Sequence, residues 1–66
     1  MAQTAIERLR NYAHGRLNMC VIDNGFCRWY AYSADRKLIV RLARKAILLG
    51  ISVSFNTRSN ILNLSY

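Results

Sequence analysis

The chain has no proline, three glycines and three acidic residues in 66 positions, and its uninterrupted apolar runs are short. Each shortage excludes something. Without proline, and with so little glycine, there is no linker composition, so residues 1–66 are expected to form one domain. Apolar runs such as residues 19–22 reach four positions, against the roughly 20 that a membrane-spanning helix needs. No membrane partner is therefore expected. The opening stretch lacks the apolar centre of a signal peptide. With two cysteines and no secretory signature, a cytoplasmic protein with reduced thiols is expected.

The three acids leave little room for catalysis. Glu7 has capping-box spacing from Thr4, Asp23 leads into a turn and Asp35 starts a helix, so none is left to pair as general acid and base. His14, Cys20 and Cys27 are the only soft metal ligands, at spacings that fit no zinc motif. No glycine-rich phosphate loop is present. A non-enzymatic protein without cofactor or metal is the expectation. One enzymatic reading survives: His14, with Arg10 and Arg16 beside it, has the makings of a single-histidine ribonuclease, because RNA carries its own nucleophile in the 2′-hydroxyl. The plainer reading is a solvated histidine near a helix C-terminus, where its cation meets the dipole favourably.

What is abundant is apolar surface and positive charge. Apolar residues make up 53% of the chain, more than a domain this small readily buries, which points to coverage by a second copy or a partner. Ten Lys and Arg, eight of them Arg, give a net charge of +7. Such a balance favours polyanions or acidic proteins, and arginine suits phosphate in particular.

The order of patterns predicts an α+β fold, α-β-β-α-β-β, with an antiparallel sheet and two helices packed on one face. A first helix is expected over residues 4–14, capped by Thr4 and stopped by Gly15. Strands are expected over 17–23 and 26–32 around a tight Asn24-Gly25 turn. That register sets Ile22 opposite Cys27, Cys20 opposite Trp29 and Met19 opposite Tyr30. It places Leu17, Met19, Val21, Phe26, Tyr30 and Tyr32 on one face and Cys20, Ile22, Cys27, Trp29 and Ala31 on the other, so both faces are apolar. The cysteines then sit diagonally and stay free, as small apolar residues. A second helix is expected over 34–49, capped by Ser33 or Asp35 and followed by Gly50. Strands over 51–56 and 61–66 form a hairpin with Phe55 opposite Leu62 and Val53 opposite Leu64. The two halves look alike in order, with no residue-level repeat apparent.

The second helix carries the clearest functional pattern. Lys37, Arg41, Arg44 and Lys45 fall within an arc of roughly 100° opposite its apolar stripe. Seated on phosphates, that ridge makes the chain a small basic nucleic-acid-binding protein. Arg8, Arg16, Arg28, Arg36 and Arg58 are candidates to widen the footprint. Trp29, Tyr30 and Tyr32 beside Arg28 are candidates for base stacking or for a protein interface. The alternative is a protein-interaction module, an inhibitor or adaptor of the kind found among phage or plasmid accessory proteins, docking an apolar hairpin face on an acidic partner. Either reading includes a homo-oligomer joined through the first hairpin.

Overall fold

The structure, a computed structural model, describes residues 4–66. Thr4 caps α1 (Ala5–Tyr12), its Oγ1 accepting from the Glu7 N–H at 3.2 Å and so satisfying one amide that a helix start leaves open. The helix does not stop at Gly15. It widens into a π-helical turn, Ala13–Leu17, and ends at Asn18, whose φ of 52° is left-handed. Asparagine tolerates that region, and running on brings Leu17 into the core. The second helix, α2 (Arg36–Leu48), follows expectation: the Asp35 carboxylate accepts from the Lys37 N–H at 2.9 Å, and Gly50 lies just past the end at φ 81°.

Strands β1 (Val21–Gly25), β2 (Arg28–Tyr32), β3 (Ser52–Asn56) and β4 (Ile61–Ser65) form one antiparallel sheet in the order β1-β2-β4-β3. The α-β-β-α-β-β order is therefore as the sequence implies. The β3–β4 register is too, with Val53 opposite Leu64 and Phe55 opposite Leu62. Leu9, Ile39, Leu42 and Ala46 from the helices meet Val21, Ala31, Leu62 and Leu64 from the sheet in a single core.

The first hairpin differs from its expected register. Val21 pairs with Ala31, Ile22 with Tyr30 and Asp23 with Trp29. The offset from the expected pairing is odd, so the faces are exchanged. Val21 joins Trp29 and Ala31 toward the helices, while Ile22 joins Tyr30 and Tyr32 on the outer face. Leu17 and Met19 precede β1 and are buried beneath it. The Asn24-Gly25 turn gives way to a register that sets Val21, in place of Ile22, on the inner face with Trp29 and Ala31. The register shifts between Asp23 and Gly25, and Phe26-Cys27 forms the tip with φ of 53° and 58°. Both cysteines are free, as expected, but exposed rather than buried as small apolar residues.

Two non-glycine residues in the left-handed region cost on the order of 1 kcal/mol each, and Phe26 is 99% exposed, so it regains nothing by packing. Phe26→Asn with Cys27→Gly should therefore raise the unfolding free energy by about 1–2 kcal/mol, read as a higher urea midpoint. An unchanged midpoint would place the turn elsewhere.

Superposing the order of the halves reveals a repeat that the strand sequences hide. Ile6 and Ile39, Arg8 and Arg41, Leu9 and Leu42, and Ala13 and Ala46 are identical pairs, each 33 residues apart. After the helices the π-helical turn adds one residue to the first half. The Ala13 carbonyl accepts from the N–H of Met19, six residues on, and the Ala46 carbonyl from that of Ile51, five on. Beyond this point Asn18 matches Gly50, both left-handed, and Val21 matches Val53. Two contacts locate an approximate two-fold axis normal to the sheet. Tyr30 pairs with Asn63 across the central strands, and Lys45 stands over the Tyr12 ring across the helices. Each joins positions 33 apart, and only residues beside a two-fold axis meet their own equivalents.

Candidate nucleic-acid interface

Lys37, Arg41 and Arg44 are exposed on the side of α2 opposite Ile39, Leu42 and Ala46. Helical geometry of about 100° per residue keeps them in one arc. The ridge is not uniform. Lys45 is half-buried, with its Nζ 5.5 Å from the Tyr12 ring centroid, a cation–π distance. The Tyr12 contact joins the ridge to α1. Arg8, one turn before Tyr12 and exposed, stands on that same flank. The helix layer thus gathers Arg8, Lys37, Arg41, Arg44 and Lys45.

The remaining arginines are divided. Arg36 ties α2 to the β3–β4 turn, its Nε donating to Asn60 Oδ1 and its Nη2 to the Thr57 carbonyl, each at 3.3 Å. A guanidinium so engaged fastens the fold rather than presenting a free fork. Arg58 follows Thr57 in that turn, at the end of the domain where α2 begins. Arg16 is exposed in the π-helical turn. Arg28 pairs with Ser65 on the outer face of the sheet, the layer opposite the ridge.

The aromatic run is split by strand alternation. Trp29 is half-buried against the core beside Leu64. Tyr30 and Tyr32 lie on the outer face, which no helix among the described residues covers, and Tyr32 is 59% exposed. Ile22, Ile61 and Asn63 share that face, with Ser52 and Ser54 toward the β3 edge. A second apolar area runs along α2 on the flank away from α1, where Val40 and Ile47 are exposed. The apolar side of α2 is thus only partly covered.

Between α1 and β1 runs a groove of about 370 Å³ lined by Glu7, Arg10, Asn11, His14 and Cys20 among others. His14 is exposed there. Glu7 lines the same groove as His14 and Arg10. Among the described residues no three His, Cys, Asp or Glu side chains group as metal ligands, and no helix is long and apolar enough to cross a membrane. Compared with protein-family models, curated proteins and solved structures, the chain matches none.

Proposed function

We propose that the chain is a small nucleic-acid-binding protein that seats backbone phosphates on α2. The observation that carries this reading is the exposed arc of Lys37, Arg41 and Arg44 with no acid within it. Asp35, the nearest acid, turns its carboxylate to the Lys37 amide. An ordinary solvated helix face mixes signs. Each phosphate neutralised on a duplex releases condensed counterions, and three contacts imply a log–log salt slope of about −2.7. Affinity for a short labelled DNA duplex, followed by fluorescence anisotropy, should then fall roughly 40-fold between 50 and 200 mM salt. Absent or salt-insensitive binding removes the reading.

A protein contact is the second reading, and the open outer face of the sheet favours it. Ile22, Tyr30, Tyr32 and Ile61 lie there without a covering layer among the described residues, and Ile22 is 45% exposed. This is the surface on which two copies would meet, through the outer rather than both faces of the first hairpin. Sedimentation at micromolar concentration should show a species heavier than 7.6 kDa, and Tyr32→Asp should return it to that mass. A parent chain that sediments at 7.6 kDa ends the proposal of self-association.

A further inference from the structure

The internal two-fold axis has a bearing on what the helix layer fits. Of the four identical pairs in the helices, Leu9 and Leu42, and Ala13 and Ala46, are fully buried, and Ile39 and its equivalent Ile6 pack in or against the core. Their identity follows from filling equivalent places. Arg8 and Arg41 are exposed, and packing does not call for the same residue there. Each lies one turn before a residue at the axis, Arg8 before Tyr12 and Arg41 before Lys45. The axis makes the helices antiparallel, so the two arginines stand on opposite sides of it, about 12 Å apart along the helix direction at 1.5 Å per residue.

Duplex DNA has two-fold axes of its own, perpendicular to its length, which relate the phosphates of one strand to those of the other. Symmetric proteins commonly place their axis on that of the duplex. They usually do so as dimers, whereas this chain carries a symmetric pair of arginines by itself. We propose that its internal axis coincides with a dyad of B-form DNA, Arg8 and Arg41 each holding a phosphate on a different strand. This rests on the reading of α2 as the phosphate-binding element. With about 12 Å along the helices and up to about 8–10 Å between their axes, the two arginines start roughly 13–16 Å apart, and their long side chains converge on the opposite walls of a minor groove about 6 Å wide. The minor groove of A-form RNA is wide and shallow, which sets those walls further apart. Lys45 and Tyr12 occupy the axis between them, and Lys37 and Arg44, which have no basic equivalents in α1, extend the contact along one strand.

The test compares Arg8→Gln, Arg41→Gln and the double variant on one DNA duplex at 0.1 M salt. The expected result is a loss of roughly 8-fold for either single variant, equal between them, and roughly 60-fold for the pair, with the salt slope flattened by about 0.9 per substitution. Arg8→Lys and Arg41→Lys, which keep the charge, should retain most of the binding, and thermal melts check that every variant folds. On a single strand, which lacks a dyad, the losses should be smaller and unequal. If Arg41→Gln weakens duplex binding and Arg8→Gln does not, the axis is not used, although the ridge reading stands. If neither matters, the proposal falls. A parent chain that prefers the RNA duplex of the same sequence, or the single strand, also overturns the proposal.

Discussion

Arg41→Gln combined with Arg44→Gln should weaken binding to duplex DNA roughly 60-fold at 0.1 M salt and flatten the log–log salt slope by about 1.8. Both guanidinium groups are exposed, and among the described residues neither takes part in a hydrogen bond that holds the fold, in contrast to Arg36. Their loss should therefore leave stability within roughly 0.5 kcal/mol of the parent. The effect should be the same on duplexes of unrelated sequence, because phosphates carry no base information. A double variant that folds normally and binds as the parent does removes α2 from the interface. An Arg36→Gln variant makes the opposite prediction. It loses the tie to Asn60 and the Thr57 carbonyl, so its effect should appear in the melt and not in the salt slope.

Leu42→Ala and Leu9→Ala should each cost about 3–5 kcal/mol, the range for a fully buried leucine that leaves a cavity. Both side chains are 0% exposed and occupy equivalent places on either side of the internal axis. For a chain of 66 residues the whole folding free energy is only about 3–10 kcal/mol, so either change brings the domain to the edge of unfolding. Urea melts followed by circular dichroism measure this. Losses below about 1 kcal/mol at both positions would show that the helices do not close on the sheet as described.

The helices were legible in the sequence because their signals are local. Thr4, Asp35 and Gly50 act on amides and carbonyls within a turn of themselves, and the apolar stripes of α1 and α2 need no knowledge of the sheet. The β3–β4 register was legible for the same reason. Val53, Phe55, Leu62 and Leu64 alternate with Ser and Asn, so only registers an even number apart gather them on one face, and the short connection between the strands selects among those. The basic arc of Lys37, Arg41 and Arg44 followed from spacing. The first hairpin was not legible, because apolar residues occupy both of its faces and alternation cannot choose between registers an odd number apart. Only the helix layer decides there: Val21 and Ala31 are the residues it covers, and the turn accepts two left-handed residues at Phe26 and Cys27 as the cost.

The occupation of individual cations also belongs to the tertiary structure. Nothing in the sequence ties Arg36 to a turn more than twenty residues on, or sets Lys45 over Tyr12, because these contacts exist only once the halves have closed around β2 and β4. The repeat lay in the sequence throughout, as four identities in the helices at one spacing. Its meaning did not. Identities at Leu9 and Leu42 or Ala13 and Ala46 are what any two amphipathic helices share when they fill a common core. It took the pairing of Tyr30 with Asn63 and the contact of Tyr12 with Lys45 to turn a spacing into an axis, since symmetry is a relation between places and a chain read in one dimension records only order.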